Sequence, residues 1–556
     1  MKDRAREVRE IGDNLFSKRR SLLSRWQDIA DHFYPERADF VVQRVISTDF
    51  AGHLMTGVPA LARRDLANAF SAMLRPRGQQ WFTPRTADEK INEDVGAQRW
   101  LDWAGDVMRR AMYDNSAHFV RATKEADNDF AAFGQSVLTV DLNASKDGLL
   151  YRSWHLRDVC WAENAALEID TIHRDQKIPA RQLVKLFPKT VSQKVKDLLD
   201  KEPFRGIKCR HVIMPAEEYY DADDEDSKGQ RRKISKLPVV SIWIDCENDV
   251  VMEEPLVRRS NYVIPRWQTV SGSQYAHSPA TVIAIPDARL LQQMTLTLLE
   301  AGQKAVDPPL IAVGEMIQGG VNTFAGGVTW VDAEYDERFG EVMRPMTIDK
   351  TGLQFGIDRE ERIRTFIQKA FFLDQLELPG LTGEKMTATE TQIRMEEYMR
   401  RALPLFEPME TEYNGALCNH TFELMMENGA FGSPFDIPQQ LQGQDIRWQF
   451  ESPIQAAASR ANAKAFGDSM SLLTMAAQID PNAAHIIDVD KALKDAMEGA
   501  GAPAEWFRTD EEKAAMDQQA VQAQQLQQAA TQIGGAAQVA EQVGNAGQSL
   551  AAAGIA

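Results

Sequence analysis

Apolar residues recur three and four positions apart at Val8, Ile11, Leu15, Leu22, Trp26, Ile29 and Phe33. This spacing predicts one long amphipathic helix from Lys2 to Pro35, where proline stops it. The same period predicts helices over about Phe50 to Leu74 and Trp100 to Phe130, with "RPRGQQWFTP" between them as a turn and a short extended segment. The first 135 residues are therefore expected to be mainly helical. From Ser136 to Pro265 the texture changes to short strand-like runs, "SVLTVDL", "GLLYRSW", "EIDTIHR", "KCRHVIM", "PVVSIWID" and "NDVVMEE", broken by Gly, Pro, Asn and Asp. A mixed or antiparallel sheet follows from them.

Helical spacing returns after Pro286, where Leu290, Leu291, Met294, Leu298, Ala301 and Ala305 share one face until "DPP" at 307–309. Residues 308–355 are Gly-rich and strand-like, most clearly in "PLIAVG" and "GGVTWVD", and a helix over 357–374 presents Ile363, Ile367, Ala370 and Phe371. The order is helix, small β insert, helix. After the loop "ELPGLTGEK", Thr387 and Glu390 form a capping box. The helix it opens can run to Glu427, with a kink expected at Pro404 and Pro408.

Composition adds a low-complexity end. Residues 514–556 hold 14 Ala and 11 Gln, with Asp517 and Glu541 as the only charged side chains. A faint heptad runs beneath the bias, Leu526, Ile533 and Ala540 at one seam position and Ala529, Ala536, Val543 and Leu550 at the other. Two readings stay open: a disordered tail, or a helical tube that forms when many copies pack together.

With 556 residues, 44% of them hydrophobic, the chain is long enough for two to four modules. The longest apolar run, Val239 to Ile244, is far too short to span a bilayer, and the opening "MKDRAREVRE" is too charged for a signal peptide. Cys160, Cys209, Cys246 and Cys418 are scattered, which predicts buried thiols in a reducing compartment and no disulfide framework or zinc site. The net charge of -18 argues against tight phosphate-driven binding by the chain as a whole. The segment "DADDEDSKGQRRK", residues 221–233, lacks the glycine and distal glutamate of a calcium loop and reads as a solvated connection.

Catalytic signatures do not emerge. "GLTGEKMT" places glutamate where a phosphate-binding loop needs its lysine, and the nine histidines form no HExxH or HxH pair. Trp26, Trp100 and Trp103 fall at helical core spacing, so packing accounts for them better than base stacking. No enzyme activity, cofactor or metal is expected.

Several strings resemble, in the same order, those of the head-to-tail connector, or portal, family of short-tailed bacteriophages: "DFAGHLMTGVPALARRDLANAFSAMLRPRGQQWF" at 49–82, "FGQSVLTV" at 133–140, "WHLRDVCWAEN" at 154–164 and "YVIPRWQTVSGSQYAHSPA" at 262–280. "DPPL" at 307–310, "MTATETQIRMEEYMRRALPLFEPMETE" at 386–412 and "FESPIQAAASRANA" at 450–463 continue the series. The resemblance implies an α+β, mainly helical portal fold with wing, stem, clip and crown. It implies a wing over 1–285, a stem helix over 286–306, a clip over 307–355 and a second stem helix over 356–374. A tunnel loop over 375–386 would carry Gly380, Thr382, Gly383, Glu384 and Lys385 toward DNA. A long kinked helix and return to the wing follow over 387–449, then a crown over 450–510 and the tail over 511–556. The resemblance further implies a homo-oligomer of twelve subunits at one capsid vertex, acting as the channel for double-stranded DNA during packaging and ejection. Its expected partners are the major capsid protein, scaffolding protein, the terminase packaging motor and a tail adaptor. Assembly is expected in the host cytoplasm, without a membrane. The competing expectation is an elongated virion or scaffold protein without a DNA channel.

Overall fold

The structure is a computed structural model that describes residues 2–220 apart from 44, 46 and 79, then 234, 236–312, 317, 318, 320–322, 328–331, 343–346 and 351–376. It further describes 409–450 apart from 434 and 435, 466–475 apart from 468, and 492–494, 496, 497, 502, 506–508, 516 and 518. The architecture is mixed α+β. The chain divides into two compact units, residues 1–77 with 111–424, and residues 78–110 with 425–556.

In the larger unit the expected Lys2–Pro35 helix is two helices, α1 (Lys2–Lys18) and α2 (Arg20–Phe33), separated at Arg19. The cause is tertiary. Arg19 is buried, and its guanidinium donates to the carbonyls of Leu156 and Val159, at 2.6 Å each, and of Arg157. Such charge-assisted bonds outweigh one uninterrupted helical turn. On α2 the predicted face is buried at Trp26, Ile29 and Phe33. Helix α3 (Val58–Leu74) starts later than Phe50, with Gly57 at its N-cap and Pro59 in its first turn. In chain order β1 (Phe82–Thr86), α4 (Glu89–Glu93) and most of α5 (Val95–Met112) follow in the smaller unit, and α6 (Phe119–Phe133) in the larger. The expected Trp100–Phe130 helix is thus interrupted: Asp114 accepts a hydrogen bond from the Ser116 amide at 2.8 Å, and His118 takes a left-handed φ of 55°.

Helix α6 is deeply placed, with ten of its fifteen residues buried. Its Asp127 and Asp129 are fully buried. Arg75 donates to Asp127, as does the Tyr413 hydroxyl at 2.8 Å. Arg63 donates to Asn128, and Arg37 meets Asp129 through two nitrogens at 3.0 and 2.6 Å. Burial pushes the Asp127 carboxyl upward, while Arg75 and Tyr413 favour its ionised form.

The predicted strands form as β2 (Val137–Leu142), β3 (Leu149–Trp154), β5 (Ile169–Pro179), β6 (Gly206–Pro215), β7 (Val239–Asp245) and β8 (Val250–Glu253). Between β3 and β5 lies one more, β4 (Val159–Glu163), from the unforeseen run "VCWAE". Strands β4 to β8 pair in sequence order, all antiparallel, with β9 (Leu256–Val257) also on β7. A second sheet has the order β10 (Tyr262–Val263), β2, β3. Strands β11 (Gln268–Val270) and β12 (Ser273–His277) form a hairpin. Leu183, Phe187, Val191 and Val195 recur every four residues, a helical spacing that the β-rich texture conceals, and their stretch holds α7 (Ala180–Leu186) and α8 (Gln193–Lys201) between β5 and β6.

Three histidines sit inside this unit without charge. Burial and the neighbouring Arg210 push His173 down to about 3, and burial and Arg259 push His420 down to about 4. Burial also holds His211 well below its ordinary range; its ring accepts or donates at the Tyr262 hydroxyl, 2.6 Å away, and stacks 4.5 Å from Trp243. Cys160, Cys209 and Cys418 are buried as expected, and Cys246 is half-buried. Burial pushes the Cys160 thiol up to about 12 and Cys246 to about 11.

In the smaller unit β1 pairs antiparallel with the strand Ile446–Phe450, and Ala97, Leu101 and Leu441 form a core joined by Ile91, Trp100, Ile437 and Ile446. Trp103 departs from its expected core role: it is 43% exposed, touching Trp100 and Phe431 with one side of its ring.

The neutral histidines set an acid limit on the larger unit. Above their unfolded pKa, near 6.5, they cost nothing in either state; below it the unfolded chain takes up protons that the fold refuses until about pH 4 to 3. Stability contributed by these groups is therefore full above pH 6.5 and falls as pH drops, by up to about 1.4 kcal/mol per pH unit for each histidine. Thermal melts between pH 7.5 and 5 will show a falling midpoint, and His173→Gln will flatten that dependence.

Candidate assembly surface

The C-terminus of α6 positions the rest of the site. Gly134 adopts φ +73°, and a Cβ there would lie 2.1–2.3 Å from the backbone of His277 and Ser278. Only glycine permits that crossing. Ser278 then donates to the Ala131 carbonyl at 2.7 Å, Thr281 donates to the Ala132 carbonyl at 2.9 Å, and Ser278 caps a long helix, Pro279–Val306. The helix begins before Pro286, not after it as the sequence suggested. Ser278 and Pro279 supply a complete start signal upstream, and Pro286 is accommodated inside.

One face of this ascending helix is buried at Ala280, Ala284, Ala288 and Leu291, while Leu290, expected inward, is 40% exposed. Gln292 fastens the next turn: its amide oxygen accepts from the Met55 and Thr56 amides at 2.7 and 3.1 Å, and its nitrogen donates to the Thr56 carbonyl at 2.8 Å. The descending helix, Thr351–Ala370, packs antiparallel beside it. Ile363, Ile367 and Phe371 are buried as the spacing predicted, and Phe371 lies 5.3 Å from Phe33. Glu360 accepts from Thr295 at 2.9 Å and from Arg364 at 2.6 Å. Gly356 lets Leu298 approach, since a Cβ there would stand 2.7 Å from its methyl.

Beyond these anchors the hairpin is bare. Between Leu291 and Glu360 none of the described residues is buried. The insert consists of two antiparallel ladders, Leu310–Ala312 with Met343–Pro345 and Ile317–Gln318 with Trp330–Val331. Val306, Trp330 and Phe355 are 88%, 71% and 68% exposed, and Leu299, Ile311 and Ile357 are exposed too. Two-stranded ladders are marginal alone, and their unpaired edges and a large apolar surface are what partner-binding faces present. The apolar faces read from periodicity include none of these residues, so the spacing gave no sign of this surface. The available signal is Trp330 and Phe355 in a Gly-rich stretch too short to bury them.

The candidate tunnel-loop residues Gly380, Thr382, Gly383, Glu384 and Lys385 lie outside the described residues, as do 221–233, Pro404, Pro408 and nearly all of the tail. Most of 450–510 does too. Among the described residues no group of three or more His, Cys, Asp or Glu is placed to hold a metal, and no helix is long and apolar enough to cross a membrane. A cavity of about 820 Å³ is lined by Ile172, Ile213, Tyr262, Arg266, Glu412 and His420. Its Arg266 is bonded to Glu163 and Glu412, so the charges in its wall neutralise one another.

Residues 5–507 match a family model described as "Bacteriophage head to tail connecting protein". The chain is 27% identical over 458 residues to a "Probable portal protein" of Bordetella phage BPP-1, covering 80% of this chain and 78% of that one. It is 23% identical over 538 residues to a "Portal protein" of Salmonella phage epsilon15, covering 93% and 92%. A chain of the solved structure "Virion of native gene transfer agent (GTA) particle" aligns with a TM-score of 0.34 at 11% identity, over 77% of this chain and 92% of that one.

Exposed apolar residues that serve a partner can be removed without cost to the subunit. Phe355→Ser with Trp330→Ser will change the isolated subunit's stability by no more than about 0.5 kcal/mol, read by thermal melting. The same pair of substitutions will lower the assembled fraction measured by analytical ultracentrifugation.

Proposed function

Because this chain belongs to the bacteriophage head to tail connecting protein family, we infer that it works as a portal subunit. The observation that carries this reading is the anchored helical hairpin in which none of the described residues between Leu291 and Glu360 is buried. A surface of that kind becomes stable when like surfaces close around it, and a head-to-tail contact repeated by rotation closes into a ring.

On this reading residues 1–285 form the wing, the two hairpin helices the stem, and 307–355 the clip. The clip meets the packaging motor first and a tail adaptor afterwards. Twelve copies enclose a channel for double-stranded DNA at one vertex of the capsid. The loop 375–386 faces that channel, the crown at 450–510 and the tail at 511–556 lie on the capsid side, and the capsid and scaffolding proteins surround the wing. The net charge of -18 per chain, multiplied around the ring, gives phosphate few places to adhere, so DNA slides. No step of this work is a chemical reaction. An elongated virion or scaffold protein without a channel is the weaker reading, since it gives the bare hairpin no closing partner.

Negative-stain images and mass measurement of the purified protein test this. Rings with a central hole and a mass of twelve subunits are expected; rods, filaments or monomers would sink the assignment. Lys385→Glu will leave those rings intact while changing DNA packaging or retention, and unchanged values of both would remove the loop's role.

A further inference from the structure

Strands β5 and β6 are antiparallel neighbours that a tight turn could join, yet residues 180–205 separate them. That insertion is a built platform. Ile178, Ala180, Leu183, Phe187, Val191, Val195, Ile207 and Cys209 pack beneath it with Met252 from β8. What it presents outward is an excess of positive charge. Residues 177–208 contain nine Lys and Arg against three Asp and Glu, a local net of +6 in a chain of net -18.

Lys177, Arg181, Lys185, Lys189, Lys194, Lys201, Arg205 and Lys208 are exposed and Lys196 is half-exposed. Among the described residues two of the nine are paired: Lys208 with Asp175 at 3.0 Å, and Arg205 with Glu202 at 3.9 Å. Among the described residues no carboxylate pairs with Lys177, Lys185, Lys189, Lys194, Lys196 or Lys201. Self-repulsion of this kind is a standing cost to the fold, relieved when a polyanion displaces the counterions. Phe204, 69% exposed, stands beneath the Arg181 guanidinium at 4.5 Å and stiffens the platform's edge.

We propose that residues 177–208 are a sequence-independent contact for the phosphate backbone of double-stranded nucleic acid. The surface suits that partner better than an acidic peptide. Peptides are held in grooves, in pockets or along open strand edges, whereas β5 and β6 are paired on both sides and the 820 Å³ cavity lies elsewhere. Lysine on short helices, spread over several turns, gives point charges matched to a duplex carrying one negative charge per about 1.7 Å and offers no element to read bases. The contact rests on the charge and exposure of these residues and does not depend on the portal reading.

The test uses the full-length protein and a fluorescent random-sequence duplex, followed by anisotropy between about 50 and about 200 mM salt. The fourfold variant Lys185→Glu, Lys189→Glu, Lys194→Glu, Lys201→Glu is compared with the parent, and circular dichroism melting verifies that both are folded. The expected result is at least a tenfold loss of affinity, with the slope of log affinity against log salt reduced by roughly 0.9 for each phosphate that the variant no longer neutralises. The fourfold Lys→Gln variant should fall between the two. Equal affinity and slope in parent and variant would overturn the proposal, as would absence of duplex binding by the parent at the lowest salt. A change in sedimentation with duplex affinity untouched would also overturn it, assigning the platform to an acidic stretch of a second copy such as residues 221–226.

Discussion

Asp127 and Asp129 are carboxylates without access to water, and each is answered from a distant stretch of chain, Asp127 by Arg75 and Tyr413, Asp129 by Arg37. Asn128 between them takes Arg63. A buried charge without its partner is far more costly than a buried pair is favourable. The three consecutive positions therefore work as a registration device: α3, the turn after α2 and the segment at Tyr413 must all reach α6 together, or none can stay. Once α6 is held this way, its last turn offers the carbonyls of Ala131 and Ala132, and the ascending helix has somewhere to start. The hairpin thus inherits its position from an ionic contact that does not touch it.

The larger unit also shows a gradient of self-sufficiency. Around α6 and the β4 to β8 sheet, apolar residues and polar groups find partners inside the same subunit. Along the hairpin, none of the described residues between Leu291 and Glu360 is buried, although Gln292, Thr295 and Leu298 still find partners. A monomeric protein selected to be soluble would not hold Val306, Trp330 and Phe355 in water. The chain thus leaves part of its apolar surface outside its own core.

Much of this is legible from periodicity alone. Six predicted strands form within a few residues of their expected limits, because alternation bounded by Gly, Pro and Asn leaves a short segment few other choices. The descending helix buries Ile363, Ile367 and Phe371 as its spacing requires. What the pattern cannot give is set by long-range bonds. The break at Arg19 depends on carbonyls about 140 residues away, and the convergence on Asp127 to Asn128 to Asp129 joins four separate segments. Helices α7 and α8 are hidden for a different reason: their apolar spacing is present, but short helices between strands compete poorly with the surrounding β texture. The assembly surface escapes the pattern because periodicity says which residues share a face and is silent on whether that face looks inward.

The crossing at Gly134 has a mechanical side. Where two backbones approach so closely that not even a methyl group fits between them, they can neither slide nor twist against each other without a steric collision. The hairpin is therefore clamped at its root, at Gly134, Gln292 and Phe371. A load on the hairpin would pass through this clamp to α6, which Arg37, Arg63 and Arg75 hold in turn. The same contacts that order the fold are the ones that would feel a load.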